Sequence, residues 1–500
     1  MKIASVLAVA ALFSPALGKK RKQVTQKALI KDIKLDDLLA GSQKLQEFAD
    51  ANGGNRAFGG GGHNATVDWL YKTLKQYDYK VYKQPFVELF SAATVTLSVS
   101  GTPYSAEYMT YGPSGNVTAS IVPVSNVGCD AADYPAGVSG NVALVKRGTC
   151  TFALKATNAK AAGAVGTIIY NNIEGALSGT LGSVGAYAPT VGVTLQVGTS
   201  ILESATAGTA VASLFVETIE QNRTTWNVIA ETRGGDHDNV LMLGGHTDSV
   251  FKDPGINDDG SGTVGVLTVA KALSKYTTKN AVRFAFWSAE EFGLLGSYHY
   301  LKTLNGTISG PKDGSEVAKI RAYLNFDMIA SPSYVLGIYD GDGNTFNLSG
   351  PTGSAKIEKD FELFYESQGK PHVPSLFSFR SDYAAFLQNG IPSGGLFTGA
   401  EELKTADEAA LFGGQVGVAL DANYHQAGDD ITNLNKEAFL LNTQSIANSV
   451  ALYSQSFEGI PRSNGTVRKR DAELHRYMAR FAGAHSHAHA GHCGEVSHEL

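Results

Sequence analysis

His246, Asp258, Glu290, Glu291, Asp327 and His425 recur from near the midpoint of a 500-residue chain onward, between positions 246 and 425, each at the edge of an apolar run. The strings that carry them are LGGHTDSV, GINDDGSG, FWSAEEFG, LNFDMI and NYHQAGDD. Each joins a strand-like stretch to a turn, and α/β proteins hold their ligands beyond the carboxyl ends of strands. Imidazole nitrogen and carboxylate oxygen are donors that zinc accepts, and a catalytic zinc site keeps one position open for water. If Asp258 bridges two ions, with His246 and Asp327 on one and Glu291 and His425 on the other, each ion has three protein ligands. The carboxylates and a shared hydroxide then balance two dications, so no large buried charge is left uncompensated.

Glu290 has a separate task in this scheme. A carboxylate beside an activated water can take its proton and later return it to a leaving amine, so the adjacent glutamates divide ligation from acid/base work. Asp248 and Asp429 are candidates to accept the second imidazole N–H of His246 and His425, which would fix tautomer and direction. Taken singly, a Glu-Glu pair reads as solvated surface and Asp-Asp-Gly as a turn. Taken together, acidic residues at the ends of apolar strands such as AVRFAFWS and RAYLNFDMI need a functional reason.

In order and approximate spacing, HTDSV, G-x-N-D-D-G-S-G, SAEEFGLLGS, NFDMI and YHQAGDD resemble the metal and catalytic boxes of the M28 family of zinc aminopeptidases. The resemblance implies two zinc ions per chain, held by His246, Asp258, Glu291, Asp327 and His425, with Asp258 bridging and Glu290 as general base. It also makes Tyr424 a hydroxyl donor to the tetrahedral oxyanion. The segment SFRSDYAAF resembles the family's GRSDYxPF region near the substrate pocket, with Phe379 in place of its glycine, and makes Arg380 a candidate substrate-binding residue. The implied fold is a three-layer α/β/α sandwich on a mixed, mostly parallel sheet of the zinc exopeptidase type. The implied substrates are peptides with a free N-terminus. Competing readings are a carboxypeptidase, dipeptidase or glutaminyl cyclase on the same scaffold, or a non-enzymatic receptor.

The elements that must position these residues follow from periodicity. Leucines at helical spacing predict a helix over Asp36–Ala51, and a second over Ala65–Tyr77 with Asn64 as N-cap and His63 in the preceding turn. YKVYKQPFVEL reads as a strand, NVLMLGG, AVRFAFWS and RAYLNFDMI as buried strands, and Ser261–Tyr276 and Glu437–Phe457 as helices. Between Phe86 and Glu217 the texture changes to short Val- and Thr-rich strands separated by Gly and Pro. Within it, GNVALVKRGTCTFALKATNAKAAGAVGTIIYNN resembles the protease-associated (PA) domain, a smaller β-rich α+β insert without catalytic residues of its own. The expected organisation is a signal peptide over 1–18, a pro-segment over 19–34, peptidase parts over 35–85 and 218–458, the insert over 86–217, and a disordered His-rich tail over 459–500.

Length above one ordinary core agrees with two folded units. A hydrophobic fraction of 43% and a net charge of −6 give no basic face for nucleic acid. Lys2, the apolar Ile3–Leu12 run and small residues to Gly18 read as a secretory signal, and no other segment is apolar enough to span a bilayer. The expectation is therefore a secreted protein, extracellular or vacuolar, acting as a monomer without membrane partners. Sequons at Asn64, Asn116, Asn222, Asn305, Asn347 and Asn464 fit that route. Of three cysteines, Cys129 and Cys150 are expected to pair, leaving Cys493 in the tail. Dibasic Lys20-Arg21 and Lys469-Arg470 suggest trimming at both ends.

Overall fold

The computed structural model describes residues 21–462 apart from 174, 176, 178 and 305–314. The expected signal, residues 463–500 of the His-rich tail with Cys493 and Lys469-Arg470, and the sequons at Asn305 and Asn464 lie outside the described residues, while the start of the expected tail is corrected: Ile460 is buried in the main core. The catalytic layer is a sheet in which strand Asp236–His246 pairs in parallel with Asn280–Trp287 on one side and Ile320–Phe326 on the other. Ser393–Phe397 continues in parallel from Ile320–Phe326, while Gly337–Tyr339 and Val211–Thr232 add antiparallel pairs. Parallel central strands are covered on both faces, which is why their sequences are apolar without alternation. Val240, Leu241, Met242, Leu243, Phe284, Phe286 and Leu324 are all fully buried.

Helices Leu35–Asp50, Gly260–Leu273 and Lys436–Tyr453 pack on one face of this sheet and share its largest core. On the other face, helices Leu295–Thr303 and Tyr383–Gln388 pack with Trp287, Tyr300, Tyr323 and Phe386. The expected mixed, mostly parallel sheet with helices on both sides is present. Helix Gly260–Leu273 is buried almost all round, and its glycines let it lie against the strand ends. A Cβ on Gly262 would collide with the carbonyl of Phe326.

Three expectations are corrected. The second helix spans Gly61–Leu74 and its N-cap is Gly60, so Asn64 lies one turn inside, donating its N–H to Gly60 O at 2.9 Å. The unbranched Gly59–Gly62 run allows this early start, because a Cβ on Gly62 would collide with the carbonyl of Asn55. His63 is consequently a fully buried helical residue, not a turn residue. Residues 22–34, read as part of a pro-segment, belong to the fold: Lys22–Gln23 pairs with Tyr276–Thr277, and Val24, Leu29 and Ile33 enter the main core.

The insert is entered and left by one ribbon. Strands Tyr79–Val99 and Val211–Thr232 pair antiparallel from Tyr79 opposite Thr232 to Val99 opposite Ala212, so the expected boundaries at 86 and 217 fall inside strands. Strand Gly115–Pro123 adds to the far end of this ribbon. Val142–Lys146, Gly166–Tyr170 and Thr190–Val193 then follow in parallel, with helix Phe152–Ala161 between the first two of these. The Cys129–Cys150 disulfide forms within it, with an S–S distance of 2.09 Å. Sequons Asn116, Asn222 and Asn347 are exposed, and Asn64 is half-buried. Among the described residues no helix is long and apolar enough to cross a membrane.

The tight contact between Gly262 and the Phe326 carbonyl predicts that Gly262→Ala destabilises the fold by about 2 kcal/mol through overpacking at a backbone neighbour that cannot move aside. A lowered urea midpoint is expected, and an unchanged midpoint would mean that the helix can shift at no cost.

Candidate metal and active site

Every expected site residue leaves the sheet at a carboxyl end or faces it from a neighbouring turn. His246 is the last residue of its strand, Asp327 follows Phe326, and Glu290 and Glu291 follow Trp287 after a short turn. Asp258 precedes helix Gly260–Leu273, joined to the N-cap Asp259 by a cis peptide bond. Ala289, Met328 and His425 have left-handed backbones, with φ of 58°, 54° and 56°. Such conformations are costly for residues with a side chain and persist where surrounding structure dictates them, which is common at functional sites.

The cluster has two foci sharing one carboxylate. His246 Nε2 lies 3.2 Å from Asp258 Oδ1, 3.7 Å from Asp327 Oδ1 and 3.8 Å from Glu290 Oε2. His425 Nε2 lies 3.2 Å from Asp258 Oδ2 and 3.0 Å from Glu291 Oε2. The two oxygens of Asp258 therefore face different imidazoles. Burial would lower the His246 imidazole, but Glu290 and Asp327 hold it well above its usual value, and Glu291 and Asp258 do the same for His425. Burial pushes Glu291 up to about 7 against the pull of His425. Burial would also raise Asp258, but its hydrogen bonds to both imidazoles outweigh that and lower it. A buried group of carboxylates with two imidazoles is a strong trap for cations, and its mixed N/O donors suit zinc.

The surrounding residues set its geometry. His246 Nδ1 lies 3.1 Å from the main-chain oxygen of Asp248, to which it can donate, turning Nε2 toward the carboxylates. The carboxylate of Asp248, expected to be that acceptor, lies farther at 3.7 Å and instead receives the Glu290 N–H at 3.1 Å. Asp429 also does other work than the expected imidazole contact. Its oxygens accept the N–H groups of Asn257 at 2.8 Å and Asp258 at 3.0 Å, fixing the backbone that presents the shared carboxylate.

Sequence reasoning missed four supports. Asp259 accepts from the N–H groups of His246 and Met328, both at 3.0 Å, tying two strand ends to one helix start. Ser381 donates to Asp327 Oδ2 at 2.6 Å. His63, held neutral because burial takes it down to about 4, lies 2.9 Å from Thr247 Oγ1 through Nε2. Arg56 is fully buried, and its guanidinium donates to the carbonyls of Thr247, Pro254 and Gly255, spanning the loop between His246 and Asp258. Asp259 and Ser381 sit inside motifs that drew attention to their neighbours. Arg56 stands alone in a glycine-rich stretch, and nothing local marked it.

The cleft over the cluster has a volume of about 330 Å³. Asp258, Glu290, Glu291 and Asp327 form one part of its wall, Met328, Val335, Tyr339, Phe397 and Leu420 an apolar part, and Arg380 and Tyr424 also line it. The Tyr424 ring stacks on His425 with centroids 3.8 Å apart.

Strand ends that gather imidazoles and carboxylates into one cleft define an α/β enzyme whose active site is built for cations. Residues 227–450 match peptidase family M28, and residues 117–201 match the PA domain. The chain is 53% identical to a probable leucine aminopeptidase 2 of Aspergillus fumigatus, covering 95% of this chain and 93% of that relative. It is 50% identical to leucine aminopeptidase 2 of Arthroderma otae, covering 87% and 88%. Among solved structures it is similar to the aminopeptidase from Aneurinibacillus sp. strain AM-1, with a TM-score of 0.64 and 29% identity over 86% of this chain and 95% of that one. A zinc aminopeptidase from Bacillus subtilis shares the fold, with a TM-score of 0.61 and 23% identity over 86% and 99%. The chain belongs to peptidase family M28, carries an inserted PA domain, and is an aminopeptidase; the receptor reading is set aside.

Arg56 predicts a stability effect distant from the chemistry. Arg56→Met leaves buried carbonyls without donors and removes the cation among nearby aspartates, costing about 3 kcal/mol. Urea unfolding of the two proteins measures it, and equal midpoints would remove Arg56 from the framework described here.

Proposed function

We propose that this protein removes N-terminal residues from peptides with two zinc ions in the cleft and Glu290 as general base. The observation that carries the reading is the shared carboxylate of Asp258, whose two oxygens face His246 and His425 separately. His246, Asp258 and Asp327 would hold one ion, and Asp258, Glu291 and His425 the other. When bound, zinc supplies Lewis acidity that polarises the scissile carbonyl and acidifies water.

The chain's own groups do the remaining work. Glu290, buried with its N–H fixed to Asp248, takes a proton from the attacking water and delivers it to the departing amine. Tyr424 donates its O–H to the oxyanion that develops on the carbonyl. Acidic residues in the wall welcome the substrate's ammonium group, and the apolar portion accommodates a hydrophobic first side chain such as leucine. Arg380, the cation lining this cleft, is paired bidentately with Glu401 at 2.6 and 3.1 Å, which satisfies it without a substrate carboxylate. That favours an aminopeptidase over a carboxypeptidase. The same reading puts the protein on the secretory route as a glycoprotein, supported by the Cys129–Cys150 disulfide and the exposed sequons, and takes it to act as a monomer.

Replacement of Glu290 by Gln is expected to lower kcat about a thousand-fold, within the range of general-base contributions. Zinc content measured on the same preparation stays at two per chain, and an amine-blocked peptide is not cleaved by the wild type. Undiminished turnover by the Gln variant would remove Glu290 from the chemistry.

A further inference from the structure

We infer that Glu401, acting through Arg380, is a positioning residue for the Tyr424 hydroxyl. The inference rests on the reading of Tyr424 as the donor to the oxyanion, and it assigns a task to a residue outside every metal and catalytic box. Arg380 Nη1 donates to Glu401 Oε1 at 2.6 Å, and Nη2 donates to Glu401 Oε2 at 3.1 Å and to Tyr424 OH at 3.2 Å. A guanidinium has five donors and no acceptor, so the phenolic oxygen of Tyr424 is the acceptor in this bond. Its own hydrogen is consequently directed away from Arg380. With the ring stacked on His425, the hydroxyl is held as a donor toward the cleft that Tyr424 lines.

Two further features fit a positioning role. Bidentate pairing fixes the plane of a guanidinium where a single contact would leave it free to rotate. Arg380 and Glu401 are also partly exposed, with side-chain accessibilities of 27% and 49%, so their ion pair adds little to stability and its value lies in orientation. Phe379, buried at 5% exposure with a left-handed φ of 62°, anchors the backbone on one side of Arg380, and Ser381 holds Asp327 on the other. The tripeptide thus fixes an Asp327 oxygen and the Tyr424 hydroxyl from one short segment.

The test is a double-mutant cycle on the full-length, zinc-loaded enzyme with an unblocked leucyl peptide. Glu401→Gln is expected to lower kcat about ten-fold with KM and zinc content unchanged, a fraction of the effect of deleting an oxyanion donor outright. Glu401→Asp restores part of the loss. In a Tyr424→Phe background the same Glu401→Gln change is expected to alter kcat less than about two-fold, because residues acting as a unit are not additive. Losses that multiply, or a rise in KM alone, overturn the inference; the latter would make the pair a substrate contact. Failure of the underlying reading looks different: Tyr424→Phe alone, or Glu290→Gln alone, would then keep full kcat.

Discussion

Carboxylates gathered in a dry pocket repel one another, and the structure around this site is organised by that repulsion. Asp248, Asp253, Asp258, Asp259, Glu290, Asp327, Asp382 and Asp429 are all buried within a short span of space. Two unit charges 4 Å apart interact by about 4 kcal/mol at an effective dielectric of 20, so such a group requires opposing charge and directed N–H dipoles. Arg56 supplies a permanent buried cation, in the field of Asp248, Asp253, Asp429 and Asp259. Main-chain N–H groups of His246, Gly262, Met328, Asn257, Asp258 and Glu290 supply the dipoles. The imidazoles of His246 and His425 add to the balance, and the zinc ions proposed above would complete it.

This division explains why adjacent acids have unlike roles. Asp258 and Asp259 are neighbours in sequence, yet one turns both oxygens to the imidazoles and the other turns both to backbone donors. Glu290 and Glu291 diverge in the same way, the first toward His246 and the second toward His425. Left-handed residues at Ala289, Met328 and His425 make the sharp exits that these divergences need. Local backbone strain is therefore placed where the chain leaves regular structure to present a ligand, and packed strands on one side hold it there.

The inserted domain is coupled to this framework through its ribbon. Phe90 on strand Tyr79–Val99 packs against Phe58, Phe292 and Phe251, with centroids 5.3, 5.2 and 6.0 Å apart. Phe292 immediately follows Glu291, so this aromatic group lies beneath the turn that carries both glutamates. The Arg223 guanidinium covers the Phe90 ring, and Lys252 pairs with Glu107 at 2.6 Å. The insert is thus fixed beside the active site by packing and an ion pair as well as by its covalent connections.

Much of this was legible in the chain itself. Continuous apolar strands ending in His, Asp or Glu declare a parallel sheet and its ligand-binding edge, because burial on both faces and functional groups at strand ends each leave a local signature. The disulfide was readable because Cys129 and Cys150 lie in one region of the chain while Cys493 stands apart in the tail. The helix start at Gly61 was not, because an asparagine at Asn64 imitates an N-cap while the permissive glycine run before it sets the real boundary. Nor was the attachment of residues 22–34 to the fold, where Lys22–Gln23 pairs with distant Tyr276–Thr277 and Val24, Leu29 and Ile33 enter the core. The sequence by itself therefore determined which side chains could do chemistry and which elements carry them. Only the tertiary structure decided that Asp429 and Asp259 brace backbone, that Arg56 closes the loop between His246 and Asp258, and that Glu401 reaches Tyr424 through Arg380. Those contacts join residues far apart in the chain, and hydrogen bonds of that kind follow from three-dimensional proximity that no local pattern encodes.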